Sequence, residues 1–380
     1  MTNAPRLKKI LTSHLVLSSS KKNLTKTTNK PMQSSPAPLR ILLVKMSSMG
    51  DIFHTFPAIS DLKAHHPNAI IDWVVEDGFK EIVDWHPAIN KAIPISLRRW
   101  MKERGTKSWS EFRAWKKDLQ REHYDVVIDA QGLFKSAMIA KSANASAIKG
   151  FNTKSAREPI ASFFYNQRFR VSKNQHAVER TRQLFGQIFG YTPAPILNFG
   201  INQNFSHVVK NPRKLMFIIG TSWVTKLWSS FHWQRLTAIA IEEGFDVEIM
   251  WGSMEERAIA DSIIAACPKA TRPLQRMTIT AIAEKLVEAA GVIGLDTGFS
   301  HLAGALETPT IALYGATSPV KVGLIGEHTS NLQVEQPLAC MPCHKRQCKW
   351  LPENSHDTPP CMNGIKPFSV WNTLTTKMKN

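Results

Sequence analysis

The hydrophobic positions of this chain form short, mainly apolar runs that are separated by longer amphipathic or polar segments. The runs that predict strands are 41–44, 70–75, 92–95, 126–130, 147–150, 215–219, 247–251, 291–295 and 310–314. The continuous apolar run at 41–44 is typical of a parallel strand covered on both faces. Because helical segments alternate with these runs, the pattern predicts an α/β fold of two Rossmann-like, doubly wound domains that face each other across a cleft.

The predicted domain boundaries lie where the alternation of strand and helix patterns is interrupted. Proline-containing sequence near 193–212 separates a predicted domain at 39–205 from a second at 206–380, and residues 1–38 are rich in Ser, Thr, Asn, Lys and Pro. This opening segment predicts a disordered basic extension, although its composition is also compatible with an organelle transit peptide.

Charge is spread unevenly over these segments. Residues 1–38 carry seven Lys and Arg and no acid, residues 39–205 carry 24 against 15 acids, and residues 206–380 carry 17 against 15. The excess in the first domain and its extension predicts an anionic partner on that side. No apolar run reaches the ~18 residues of a membrane span. Five cysteines without a secreted disulfide pattern favour a reducing cytoplasm.

The first candidate site lies where the run 41–44 ends in a small polar turn. Ser47, Ser48 and Gly50 allow backbone N–H groups to approach a ligand, and Asp51 opens the following helix. Asp51 is therefore a candidate catalytic residue, with helix capping as an equally weighted alternative.

Two loops of the second domain have a similar arrangement. Asp296, Thr297 and Gly298 follow the run 291–295, where hydroxyl and N–H groups suit a diphosphate and Asp296 suits a sugar hydroxyl; an ordinary turn is the alternative. The segment 220–228, GTSWVTKLW, lacks the second Gly and the hydroxyl residue of a Walker A loop. Lys226 remains a candidate for stabilising a departing diphosphate, with a solvated surface lysine as the alternative.

Two further segments contain residues that could bind a membrane or a metal ion. Residues 98–121 contain nine basic residues interleaved with aromatics at helical spacing, which suits an anionic membrane or a stripe docked on the domain. No recognisable nucleic-acid module accompanies them, so no nucleic-acid partner is expected. Cys340, Cys343, Cys348 and Cys361 are spaced C-x2-C-x4-C-x12-C, a pattern open to structural zinc, reduced thiols or a labile disulfide.

Several of these motifs together resemble the bacterial heptosyltransferases of glycosyltransferase family 9. The resemblance rests on KMSSMGDIFHTFPA, DWVVEDGF, VIDAQGL, SAREPIASFFYN, HAVERTR and GLDTGFSHLAGAL, and covers residues 39 to about 326. It implies a GT-B fold with the acceptor on the first domain and the ADP-sugar on the second. The implied reaction is inverting transfer of L-glycero-D-manno-heptose from ADP-heptose to Kdo2-lipid A, at the cytoplasmic face of the inner membrane, with no required cofactor.

The resemblance also implies roles for residues. Asp51 matches the catalytic base, and Lys226 assists the leaving group. The implied donor-binding residues are Thr221, Ser222, Lys226, Glu255 or Glu256, Asp296, Thr297, Gly298 and His301. The implied acceptor-binding residues are Ser47, Ser48, Gly50, Arg98, Arg99, Lys102, Arg157 and Arg180. Arginine suits that task because its planar guanidinium binds carboxylate and phosphate through paired hydrogen bonds.

Two departures leave the substrate open. Trp223, Val224 and Thr225 are less polar than is usual in the branch that adds the first core heptose, whereas the cysteine-rich tail is similar to the branch that adds the second. Another acceptor or another sugar donor within the family therefore remains an alternative, as does a noncatalytic nucleotide- or nucleic-acid-binding protein with the same fold.

Overall fold

Strands and helices alternate along the chain in this computed structural model, which describes residues 37–379 except 274, 354 and 356. The strands are β1 Arg40–Val44, β2 Ile70–Glu76, β3 Ile89–Ile95, β4 His123–Asp129, β5 Asn144–Phe151, β6 Gln167–Phe169, β7 Asn211–Ile218, β8 Asp246–Met250, β9 Ala289–Leu295, β10 Thr310–Leu313 and β11 Thr329–Leu332. The helices are α1 Met49–Phe53, α2 Phe56–His65, α3 Lys80–Asp84, α4 Leu97–Glu103, α5 Thr106–Leu119, α6 Phe134–Lys141, α7 Ala177–Phe189, α8 Ser230–Glu242, α9 Met254–Ala266, α10 Ile279–Glu288, α11 Gly298–Ala305, α12 Pro319–Val322, α13 Pro360–Asn363 and α14 Pro367–Lys379. The predicted extension at 1–38 lies almost wholly outside the described residues.

The first sheet is parallel and has the order β3-β2-β1-β4-β5-β6. Its central strand β1 is buried on both faces, since Ile41, Leu42, Leu43 and Val44 have no exposed surface. Because β1 pairs with β2 on one side and β4 on the other, the chain leaves β1 at the point where the strand order reverses. Open α/β sheets bind ligands at this point, and here it is followed by the loop that carries Asp51.

The second sheet is also parallel, in the order β11-β10-β9-β7-β8. The loops after β7 and β9 leave the same edge side by side, because these two strands are hydrogen-bonded neighbours. Lys226 follows β7 and Asp296 follows β9, so the topology brings the two sequence-distant motifs together.

The predicted strands match the structure, with small differences at their ends. Four predicted runs extend one residue too far, to Ala130, Ile219, Trp251 and Tyr314. Ala130, Ile219 and Tyr314 are nevertheless buried, because an apolar pattern reports burial, which continues after strand pairing stops. The short strands β6 and β11 were not predicted, since their sequences, QRF and TSNL, contain no apolar run.

The segment between the two sheets contains α7, which packs against α2 of the first sheet's layer. Arg182 on α7 forms a buried ion pair with Asp61 on α2, with 2.7 Å between Arg182 Nε and Asp61 Oδ2. The exact boundary at 205/206 stays a prediction. Within the described part of the chain, no helix is both long and apolar enough to span a membrane.

Candidate active site

Asp51 lies in the first turn of α1, directly beyond β1. Its Oδ2 accepts hydrogen bonds of 2.9 Å from both the backbone N–H and the hydroxyl of Ser48. Its Oδ1 lies 3.3 Å from Lys45 Nζ, and the side chain is 30% exposed. Asp51 therefore caps its helix through one oxygen while the carboxylate stays accessible, so capping and a chemical role are compatible.

The surroundings of Asp51 favour its ionised form. Burial opposes ionisation, but the charge of Lys45 and the Ser48 hydrogen bonds outweigh it and lower the pKa of Asp51 below its usual range. The carboxylate is consequently charged and able to accept a proton at neutral pH.

A cavity of about 400 Å³ contains Asp51 in its wall. Its lining contributes five cationic side chains and a single carboxylate, so it suits an anionic ligand. The lining residues are Lys45, Ser47, Asp51, His54, Ala130, Gln131, Phe151, Arg157, Lys173, Gln175, Ala177, Arg180, Thr181, Lys321 and Val322.

Three buried polar atoms of this lining have no hydrogen-bond partner among the described residues. They are His54 Nδ1, Gln175 Oε1 and Arg180 Nε. Buried polar groups in folded proteins are nearly always paired. These three atoms are available to hydrogen-bond a polar ligand or ordered water in the cavity.

In the second domain, Asp296 is enclosed by its own neighbours. Its Oδ2 lies 2.7 Å from Lys226 Nζ and accepts a hydrogen bond from Thr317, and its Oδ1 lies 3.7 Å from His301 Nε2. Burial opposes ionisation, but His301 and Lys226 lower the pKa of Asp296 below its usual range. The predicted contact of Asp296 with a sugar hydroxyl would have to compete with these internal partners.

Two histidines join the two groups across the cleft. His54 Nε2 lies 3.3 Å from His301 Nδ1, and the rings meet edge to face. Burial and His301 hold the pKa of His54 well below its usual value, so its ring is neutral. Asp296 favours the His301 tautomer that carries its proton on Nε2, so His301 Nδ1 accepts a hydrogen bond. His54 then carries its proton on Nε2 and donates it to His301 Nδ1. The unprotonated Nδ1 atom of His54 is left as an acceptor facing the cavity.

The contact between the halves requires two glycines. A Cβ atom on Gly298 would lie 2.7 Å from Met49 Cβ, and one on Gly50 would lie 3.0 Å from the His301 ring. The helices α1 and α11 thus approach at their N-terminal ends because neither glycine carries a side chain. Gly50, predicted to contact the acceptor, packs instead toward His301.

The predicted acceptor residues divide into two groups. Ser47, Arg157 and Arg180 line the cavity with Asp51. Arg98, Arg99 and Lys102 lie on α4, outside the cavity lining, with Arg99 paired to Glu103 and Glu111. Their predicted role in acceptor binding therefore requires a ligand larger than the cavity.

The predicted donor residues lie around the loops after β7, β8 and β9. Glu256 accepts hydrogen bonds from the N–H groups of Gly252 and Ser253 and packs against Gly220. Glu255 is exposed, whereas Glu256 is held in the loop beside Gly220, so Glu256 is the better placed of the two. Thr221 and Ser222 follow Gly220 on the same surface, and Thr297 precedes α11 as its N-cap residue.

The cysteine-rich tail packs against the donor loop. Thr225 donates a hydrogen bond of 2.7 Å to the Lys345 carbonyl, and the Trp223 ring lies between Lys226 and Arg346. The two departures from the family pattern, at 223–225 and in the tail, are thus in contact with each other. A polar loop would lose the stacking between the Trp223 ring and these two cations.

All four tail cysteines are free thiols that line one cavity of about 210 Å³. Burial and the other three thiols raise the pKa of Cys361 to about 11. Across the described residues, no group of three or more His, Cys, Asp or Glu side chains is arranged to hold a metal ion. The structure therefore lends no support to the predicted zinc site.

Several cavity residues were not predicted from the sequence. Lys45 and His54 flank Asp51 in the same motif, and Gln131 lies in the VIDAQGL motif. His54 follows Asp51 by three positions, a spacing that places two residues on one helix face, so this signal was available. Lys173 and Lys321 carry no comparable signal.

Comparison with known proteins agrees with this geometry. The family model described as glycosyltransferase family 9 (heptosyltransferase) matches residues 112–353. The chain belongs to this family. It is 38% identical over 343 residues to lipopolysaccharide heptosyltransferase 1 of Pseudomonas aeruginosa. The aligned region covers 87% of this chain and 96% of that protein.

Solved family 9 structures confirm the fold. E. coli heptosyltransferase WaaC with ADP superposes with a TM-score of 0.78 at 32% identity, covering 89% of this chain and all of that chain (100%). The same enzyme with ADP-2-deoxy-2-fluoro heptose gives a TM-score of 0.72 at 36% identity, covering 77% of this chain and 93% of that one. This family 9 member is therefore a glycosyltransferase with a GT-B fold, as predicted.

Proposed function

We propose that this protein transfers L-glycero-D-manno-heptose from ADP-heptose to Kdo2-lipid A in the synthesis of the lipopolysaccharide inner core, with inversion at the anomeric carbon. The observation that supports this most strongly is the linked set of side chains at the cleft. Asp51 on α1 lies beside His54, the residue that caps the C-terminus of that helix, and His54 connects through His301 to Asp296 and Lys226. This set joins a cavity suited to an anionic acceptor with the loops that resemble an ADP-sugar site.

Asp51 is the base of the proposed reaction. The acceptor hydroxyl attacks the anomeric carbon and its proton passes to the Asp51 carboxylate, while the bond between that carbon and the diphosphate oxygen breaks and ADP leaves with the electron pair. A carboxylate with a lowered pKa is a weak base. The negative charge of a bound diphosphate raises that pKa, so donor binding strengthens the base when it is needed.

Lys226 stabilises the leaving group. Its ammonium has three N–H donors, of which two contact Asp296: one lies 2.7 Å from Oδ2 and one donates to the backbone carbonyl at 3.4 Å. The third is available to the diphosphate oxygens, whose charge grows as the bond breaks. The role of Asp296 is then to hold Lys226 and His301 in position.

The cavity supports an acidic acceptor. Arg157, Arg180 and Lys173 surround the space beside Asp51, where carboxylate-bearing sugars such as Kdo would pair with them. His54 Nδ1 is placed to accept a hydrogen bond from an acceptor hydroxyl. An acceptor anchored in a bilayer further implies a peripheral protein on the cytoplasmic side of the inner membrane.

The test is to incubate the purified protein with ADP-heptose and Kdo2-lipid A and to record ADP release together with the mass of the lipid. The expected product carries one added heptose, and Asp51→Ala forms it at least ~100-fold more slowly because a general base contributes that much or more. Bound donor without transfer would point to another acceptor, as the cysteine-rich tail suggests. Transfer at an unchanged rate by Asp51→Ala would exclude the base role.

A further inference from the structure

Four large apolar side chains lie exposed together on the first domain. Phe134 and Met138 on α6 are 44% and 42% exposed, and Ile160 and Phe163 on the 3₁₀ helix Pro159–Phe164 are 53% and 67% exposed. Phe134 and Met138 are four residues apart and therefore share one side of the helix. The two helices pack together, with the Phe134 ring 5.7 Å from that of Phe164. We call these four residues the α6 patch.

The chain segments that carry the α6 patch are basic. Residues 134–168 contain six Lys and Arg and one acid, Glu158. Glu158 is occupied in capping α6, since it accepts a hydrogen bond of 2.7 Å from the Phe134 N–H. The Arg168 guanidinium lies 5.7 Å from the centre of the Phe163 ring. An apolar surface with a cationic border suits the interface of an anionic bilayer.

The α6 patch adjoins the cavity that contains Asp51. Gln131 lines that cavity three residues before Phe134, and Arg157 lines it three residues before Ile160. Three residues span at most about 11 Å. The two chain segments also run together, because the Glu158 N–H donates to the Gly132 carbonyl at 2.9 Å. The wall of the cavity therefore continues directly into the patch.

We infer that the α6 patch is the surface by which this protein docks on an anionic membrane, with Met138, Ile160 and Phe163 inserted among the lipid headgroups and acyl chains. This inference rests on the proposed lipid acceptor. An acceptor whose acyl chains stay in the bilayer must present its sugars to Asp51 at the membrane surface, so the docking surface has to border the cavity. The α6 patch meets this requirement.

The basic helix α5 is the competing surface. Its aromatic stripe is used within the fold, because Phe112 and Trp115 pack against Trp100 of α4 and Trp115 donates to the Pro94 carbonyl. Trp109 on α5 and Met101 on the adjoining α4 remain exposed, at 63% and 53%. These two side chains offer less apolar surface to a bilayer than the four side chains of the α6 patch.

The test measures co-sedimentation with vesicles of phosphatidylglycerol and phosphatidylethanolamine, and with neutral phosphatidylcholine vesicles. The variant is Met138→Gln/Ile160→Gln/Phe163→Gln. Its matched control is Phe231→Gln/Met254→Gln/Val320→Gln, which changes three exposed apolar residues of the second domain. Melting temperatures establish that both variants are folded. Transfer is assayed with vesicle-embedded Kdo2-lipid A and with its deacylated, water-soluble form.

We expect the α6 variant to bind anionic vesicles at least about tenfold more weakly, because apolar insertion is lost. Its rate should fall with the embedded acceptor and stay unchanged with the soluble one, while the control behaves as the parent protein. The inference would be overturned if the α6 variant bound vesicles as tightly as the parent protein, or if the control variant lost as much vesicle binding. It would also be overturned if only a Met101→Gln/Trp109→Gln variant lost vesicle binding. So would a parent dimer that becomes monomeric in the α6 variant, since the patch would then bind a second copy. Vesicle binding that depends on the patch, without transfer to either acceptor, would instead count against the proposed function.

Discussion

Asp51 and Asp296 are the acidic residues of the two loops that meet at the cleft, and their surroundings differ. Each follows a buried central strand, each lies near a lysine, and each has a histidine of the same cross-cleft pair nearby. Asp51 is 30% exposed in the wall of a 400 Å³ cavity. Asp296 is 8% exposed, with both carboxylate oxygens engaged by neighbours in its own domain.

This difference separates a carboxylate that can meet a substrate from one that positions other groups. The Asp296 carboxylate is enclosed and held by Lys226 and Thr317, so a substrate has little access to it, whereas Asp51 keeps an accessible oxygen beside unpaired polar atoms. Similar loops on similar folds therefore take different roles according to how many of their polar atoms are already satisfied.

The largest expected effect comes from breaking the enclosed pair. Lys226→Met leaves Asp296 as a buried, uncompensated charge, so the free energy of unfolding should fall by about 3 kcal/mol. Lys45→Met, which breaks the more accessible pair with Asp51, should cost less than half of that. Denaturant unfolding measures both.

The double variant Lys226→Met/Asp296→Asn is the control, because it removes both charges and should recover part of the lost stability. If Lys226→Met and Lys45→Met lowered the free energy of unfolding equally, the enclosed ion pair would be no more important to stability than the accessible one.

A smaller effect is expected where the two domains touch. Gly298→Ala places a methyl group within 2.7 Å of Met49 Cβ and should push α11 away from α1. Overpacking of this kind costs about 1–3 kcal/mol, and separation of the halves should lower kcat more than donor affinity.

Gly78→Ala is the matched control, since nothing lies within 4 Å of a Cβ atom at that position. If Gly298→Ala has the activity of Gly78→Ala, then close contact between the helices is not needed for transfer.

The smallest effect concerns pH. Burial lowers the pKa of His54 well below 6.5 and that of His86 to about 4. The unfolded chain therefore takes up protons below pH 6.5 that the folded protein does not, and stability falls by up to about 1.4 kcal/mol per histidine for each pH unit.

The free energy of unfolding at pH 7.5 and at pH 5.5 gives this pH dependence. The His54→Gln variant should lose less stability between the two pH values, because the contribution of His54 is removed. The lowered pKa values of Asp51 and Asp296 reduce stability only below about pH 4, because carboxylates of the unfolded chain begin to take up protons there while these two stay ionised in the folded protein. An unchanged slope in His54→Gln would show that His54 is not held neutral.

Much of this architecture could be predicted from local patterns. The apolar runs fix the central strands, and the polar turns after β1 and β9 mark Asp51 and Asp296, because ligand sites of this fold follow buried strands. The contact between His54 and His301 could not be predicted in this way. It joins residues 247 positions apart and depends on how the domains pack, which no local periodicity encodes.

The cysteine-rich tail shows the opposite outcome. Its spacing left structural zinc, reduced thiols and a labile disulfide open, because ligand geometry depends on where each Sγ atom points within an irregular loop, and spacing alone does not determine that direction; the four cysteines are free thiols here. The contact of the tail with Trp223 and Thr225 likewise arises from tertiary packing between segments more than 110 residues apart, since Thr225 bonds to Lys345.

The most direct test of the account compares Asp51→Asn with Asp296→Asn in one experiment that measures kcat for heptose transfer and the Kd for ADP-heptose. We predict that Asp51→Asn lowers kcat at least ~100-fold with donor affinity unchanged, whereas Asp296→Asn weakens donor binding because Lys226 and His301 lose their anchor. The same loss of donor affinity in both variants, with kcat of Asp51→Asn preserved, would contradict it.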